Sequence, residues 1–366
     1  MEKERINRRL FLKVASSAAL LPHSMRADVH RKISPLVIFF QGGAQSSYEF
    51  LSPLVSAPSE LRGSVEAIEA NNGELIDSRW QKFAAVANQV AVIRDLDSGN
   101  VSHDAFPVVG DPSDHAEKLS SGGIPHPFIE LPSNFSDLSQ LKEERGMHIK
   151  WDKDEKRFKP PEIKVEEGTK DRMALLRSLE HPIRGAELME KNRELAYTLL
   201  SGGGKMLHDP FVKAEKERYG NHPIGDACAL ASQFAQSGAG VTLVYNEFLE
   251  GWDLHSKIKE GYDTIIPPTD QALAELIIDS RRHGFVLLTT TEHGRTRNVN
   301  SSAGRDHHNV SYAVLSGGGI RAGVHGKLKS NGEFSETPVT GKILMKTVLQ
   351  ACGLEQDRFE TINSIL

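Results

Sequence analysis

Cysteine is nearly missing from this chain of 366 residues: there are two, Cys228 and Cys352. So few thiols exclude a disulfide-stapled scaffold and disfavour a thiolate zinc knot. Each sits in an apolar helical pattern and reads as a buried thiol, with one bridge between them as the other arrangement. Excess basic charge is missing too. The formal net charge is −5 and there is no lysine-rich tail, which argues against nucleic acid as the main partner. No apolar run is long enough to span a bilayer. The 39% of hydrophobic and 25% of charged residues exclude global disorder and suit one large α/β domain or two average ones.

The N-terminus carries a signal of its own. "NRRLFLKVASSAALLP" sets Arg8 and Arg9 before Phe11, Leu12 and Lys13, then a short, weakly apolar stretch ending at Pro22. This resembles a twin-arginine export signal. It implies a signal over residues 1–27, the twin-arginine translocation machinery as a partner, and a periplasmic or secreted mature chain. A basic amphipathic helix is the plainer alternative.

Five short apolar runs read as strands: residues 36–40, 90–93, 241–245, 285–290 and 312–316. They are continuous rather than alternating, as strands covered on both faces are. Helical spacing predicts helices over 223–238, over 270–283 (capped by Asp270, stopped at Gly284) and over 341–352. The alternation predicts a three-layer α/β/α sandwich around a mostly parallel sheet. Residues 28–366 are expected to form one domain. Residues 110–170 are rich in Pro, Ser, Gly and charge, and a surface or cap excursion from the domain is expected at about 110–215.

In such sheets ligands bind beyond the carboxyl ends of the strands. The unusual polar stretches fall there: "QGGAQSSYEF", "RDLDSGNVSHDAF", "NEFLEGWDLHSK" and "TEHGRTRN" each follow a strand, and "GRDHHN" precedes the last. Asp253 and His255, two apart, can face one cation; the plainer role is a helix cap and a solvated imidazole. Glu292 and His293 are adjacent and point oppositely in extended backbone. His307 or His308 offers a ligand, with Asp306 placed to orient an imidazole. Arg295, Arg297 and Arg305 suit an oxyanion, or pair with nearby acids. Together Asp253, His255, Glu292, His293 and His307 suit an oxygen- and nitrogen-donor cation site.

The order "QGGAQSS" (41–47), "GWDLH" (251–255), "EHGRTR" (292–297), "GRDHHN" (304–309) and "SGGGIRAGVHG" (316–326) resembles a family of exported, sulfatase-like bacterial proteins of unassigned function in the alkaline phosphatase superfamily. The resemblance implies an alkaline-phosphatase-like fold and a divalent metal ion (zinc, calcium or manganese). It implies Asp253, His255, Glu292 and His307 as metal ligands, with His293 completing the site, and matches His103 to a family histidine. It further implies a nucleophile at Ser102 or Ser98, unless these only cap a helix. Arg295 or Arg305 would stabilise charge on the transferring group, and the substrate would be a small anionic phosphate or sulfate ester. The alternative is a catalytically degenerate member that binds an anion or glycan, or serves a structural role in a surface assembly. The first loop departs from the family: Glu49 is its only nearby acid, beside Gln45, Tyr48 and Leu51. No cysteine stands where a formylglycine could form.

Overall fold

Leu36–Phe40 (β1) is buried at every position because both of its faces are covered. Val37 and Phe39 enter one apolar cluster; Leu36, Ile38 and Phe40 enter another. That split follows from the period of two along a strand. The computed structural model describes residues 33–54, 58, 66–104, 106–121, 128–131, 146–159, 215, 217–236, 238–246, 251–329, 331–356 and 361–366. They fall in one unit, Ile33–Leu366. The twin-arginine stretch lies outside the described residues.

The other strands of the main sheet are Ala91–Asp97 (β2), Phe128–Leu131 (β3), Gly146–His148 (β4), Val241–Tyr245 (β5), Val286–Thr290 (β6), Val310–Gly317 (β7), Gly323–His325 (β8) and Val339–Thr340 (β9). Their order is β8-β2-β7-β6-β1-β5-β3-β4, with β9 added to β2. Only β7 runs against its neighbours β6 and β2; the other pairings are parallel. Helices Gln81–Val86 (α1), Pro223–Gln236 (α4) and Ile258–His283 (α5) pack residues into one cluster. Pro112–Ser121 (α3) and Gly341–Ala351 (α6), with Phe106–Val109 (α2), serve the other. This is a three-layer α/β/α arrangement around a mostly parallel sheet, and all five strand runs read from the sequence lie in it. Cys228 and Cys352 are free and buried, so the bridge is absent.

Two expectations need correction. The helix expected over 270–283 begins at Ile258 and runs through Pro267 and Pro268 to Gly284, whose φ of 77° closes it. A proline pair reads as a boundary because neither residue donates an N–H. Asp270 is therefore inside its own helix, and it caps another: its carboxylate accepts from Lys82 and Phe83 N–H at 2.8 and 2.7 Å, at the start of α1. The span expected as a surface excursion contributes β3 and β4 to the main sheet and α3 to a covering layer. Residues 160–214 lie outside the described residues. Among the described residues, no helix is long and apolar enough to cross a membrane.

Candidate metal centre

The rim beyond the carboxyl ends of the parallel strands collects the polar segments. β1 leads into Gln41–Gly43, β2 into the loop carrying Ser102 and His103, β6 into Thr291–Arg295. Because β7 is antiparallel, its beginning, not its end, lies at this rim. That reversal brings His307 back beside His293. A two-residue ladder pairs Arg295 with His307 and Gly294 with His308. Gly43 makes the tight turn after β1: its φ is 96°, and a Cβ there would lie 2.6 Å from Asp253 N. The turn aims the Gly43 N–H at Glu292 Oε1, 2.8 Å away.

Among the described residues two groups of side chains converge, the ligand atoms of each lying within 4.8 Å of one another. One is His103, His293 and His307; the other is Asp253, His255 and His307. In the first group, each ring has an oxygen acceptor at Nδ1: Glu292 Oε1 at 2.9 Å for His103, Gly294 O at 2.9 Å for His293, Val101 O at 2.7 Å for His307. A carbonyl or carboxylate oxygen only accepts, so each Nδ1 carries the hydrogen and each neutral ring keeps a bare Nε2 lone pair. His293 is fully buried, yet its Nε2 has no hydrogen-bond partner among the described residues. Three fixed imidazole lone pairs, one of them orphaned, fit a divalent cation.

Glu292 belongs to neither group. Its Oε1 accepts from His103 and Gly43, its Oε2 from Thr291 Oγ1 at 2.8 Å. The ligand role expected for it is thus replaced by that of an acceptor that orients His103. Bonding to Glu292 in turn raises the His103 pKa against the effect of burial. Burial pushes His293 down to about 4. Burial acts to raise Asp253, but Arg295 prevails and holds it at about 2.

Arg295 is buried and committed: Nε donates to Ala44 O at 2.8 Å, Nη2 to Gly43 O and to Asp253 Oδ1, both at 2.5 Å. Arg305 is fully buried, and its guanidinium is held by Glu49 at 2.7 to 3.0 Å and by the carbonyls of Thr296 and Arg297. The oxyanion role expected for Arg305 is corrected: it is an internal strut that consumes the first loop's only acid. Arg297 has no ion pair among the described residues. Asp306 orients an imidazole as expected, but that of His255, at 3.2 Å, rather than a neighbour in its own motif. His308 turns away, accepting from Val310 N–H. Ser98 is buried and its hydroxyl donates to Asn100 O and Asn309 O, which removes it as a nucleophile. Ser102 is exposed on the His103 loop.

The sequence reading missed the buried polar floor. The Tyr312 hydroxyl lies 2.5 Å from Oε1 of both Gln41 and Gln45, and Tyr262 accepts from Ser46 N–H. Lone tyrosines inside apolar patterns carry no signal of this kind. It also missed Val101 O and Gly294 O, since backbone acceptors have no sequence signature.

Residues 208–362 match the family model DUF1501, described as a protein of unknown function. No curated protein matches the chain in sequence. In fold, the chain is similar to several solved structures. One is the C-terminal periplasmic domain of EcEptC from Escherichia coli in complex with zinc: 8% identity, 82% of this chain and 77% of that one covered, TM-score 0.37. Another is a protein in the alkaline phosphatase superfamily from Vibrio parahaemolyticus: 10% identity, 95% and 75% covered, TM-score 0.40. A third is PsFucS1 sulfatase from Pseudoalteromonas sp.: 10% identity, 96% and 72% covered, TM-score 0.38.

Proposed function

We propose that this chain is an exported, metal-dependent hydrolase of phosphate or sulfate esters. The reading is carried by one observation: three imidazoles, each anchored through Nδ1, bring ligand atoms within 4.8 Å of one another at the carboxyl rim of the sheet. The ester class rests on the motif resemblance, and export on the Arg8-Arg9 stretch. Imidazole donors favour zinc over calcium and manganese, which prefer oxygen ligands.

A bound divalent cation supplies Lewis-acid polarisation of an ester oxygen and acidifies water. The chain's own groups supply the rest. His103, His293 and His307 hold the ion, and Glu292 fixes the His103 ring. Asp253, ionised at any ordinary pH because its value is about 2, adds negative charge beside them. Arg295 fixes a positive charge against Asp253 and the first loop. Ser102 is the nucleophile candidate, exposed beside His103.

A second reading, an anion- or glycan-binding protein, stands because the engagement of Arg295 and Arg305 with acids weighs against turnover. That leaves neither guanidinium free for charge developing on a substrate. The purified chain is to be analysed for metal and assayed on aryl phosphates and aryl sulfates. Bound metal and turnover that falls by at least about 100-fold in His307→Ala are expected. Bound metal with ligand binding but no turnover selects the second reading; absence of bound metal after reconstitution rejects the first.

A further inference from the structure

The two convergent groups cannot both be filled, because they share His307. Its Nδ1 is bonded to Val101 O at 2.7 Å, which leaves Nε2 as its one ligand atom. That Nε2 lies 2.9 Å from His255 Nε2 and 3.3 Å from Asp253 Oδ1. One nitrogen lone pair serves one ion.

The surroundings separate the groups. In the group of Asp253, His255 and His307, a cation is already present as a side chain. Arg295 Nη2 lies 2.5 Å from Asp253 Oδ1, and Arg295 Nη1 lies 3.4 Å from His255 Nε2. This guanidinium is 1% exposed and pinned by Gly43 O and Ala44 O. It cannot swing out to admit an ion without abandoning buried carbonyls. In the group of His103, His293 and His307, no cationic side chain is hydrogen-bonded to a ring nitrogen among the described residues. There His293 Nε2 is buried with no hydrogen-bond partner among the described residues, and all three rings are held in the tautomer that leaves Nε2 as the ligand atom.

We infer that the centre takes a single divalent ion, bound by His103, His293 and His307, and that Arg295 permanently occupies the second cation position beside Asp253 and His255. This rests on the metal-dependent reading proposed above and deepens it. Glu292 is a positioning residue for His103. His255, with Asp306 on its Nδ1, faces the ion without being required to hold it.

The test is titration of the metal-free, full-length chain with Co2+, counting equivalents and recording the visible absorption of the bound ion. Circular dichroism of each variant checks its fold. One equivalent is expected. His103→Ala, at a side chain 37% exposed, is expected to weaken binding by at least about tenfold and to change the absorption spectrum, as is His293→Gln. His255→Ala is expected to change affinity by less than about threefold, the order of scatter in such measurements. Two equivalents, an affinity insensitive to His103→Ala, or loss of the ion in His255→Ala each overturn the single-ion assignment and leave metal dependence standing. No bound Co2+ in the wild-type chain overturns both.

Discussion

At the scale of single residues, the chain spends its charges in pairs. Glu49 and Arg305 are 1% and 0% exposed, joined across the interior far apart in sequence. Breaking a buried pair leaves the other charge uncompensated, at about 3–5 kcal/mol. Arg305→Ala is therefore expected to lose about that much in urea unfolding, and Glu49→Met combined with Arg305→Met to recover much of it. If the double variant is as unstable as the single one, the loss comes from Arg305's carbonyl bonds instead. His293 and His307 were readable as candidates from the sequence because each lay in a motif at a strand end, whereas His103 was read only as a match to a family histidine. Roles were less readable. Glu292 looked like a ligand because an acid beside a histidine is a common ligand pair; only the positions of Gly43 N–H and the His103 ring assign its oxygens. Arg305 looked like an anion binder because nothing in the sequence connects it with Glu49.

At the scale of elements, strands were legible and helix ends were not. Continuous apolar runs identify doubly covered strands almost unaided, whereas Pro267-Pro268 concealed the first half of α5. Asp270 links the two helices concerned. Burial lifts its carboxyl to about 6, against two N–H bonds from the start of α1 that act the other way. The folded value lies above the ordinary 3.8. Between these values the native state keeps a proton that the unfolded chain has released, so stability falls as pH rises through the window. The full effect is about 3 kcal/mol. Asp270→Asn cannot ionise. Its stability relative to wild type is expected to climb from pH 3.8 to about 6 and level off above, as measured by urea unfolding along a pH series. A difference that stays flat across this window would refute the assignment.

At the scale of the whole molecule, the sheet order was beyond reach of the sequence. β3 and β4 are short and lie within a span whose charge and proline content suppress the strand pattern, and the reversal of β7 leaves no compositional trace. The centre depends on that order, since His103, His293 and His307 come from the ends of β2 and β6 and the start of β7. An ion that binds only this arrangement stabilises it by mass action, about 2.7 kcal/mol at 100 times its dissociation constant. For a chain of this size that is a rise in Tm of roughly 3–4 °C, reversed by a chelator, and calorimetry with and without Zn2+ reads it directly. The reversal of β7 also bears on how the chain folds. β6 and β7 form a contiguous antiparallel pair, so the closure that unites His293 and His307 spans few residues and costs little chain entropy. The bond from His103 to Glu292 closes a loop of 189 residues in sequence separation. Two of the three proposed ligands are thus a local product of one hairpin, able to form early, while His103 arrives only once the sheet has closed. Hydrogen exchange pulsed during refolding should find the β6–β7 amides protected before those of β2.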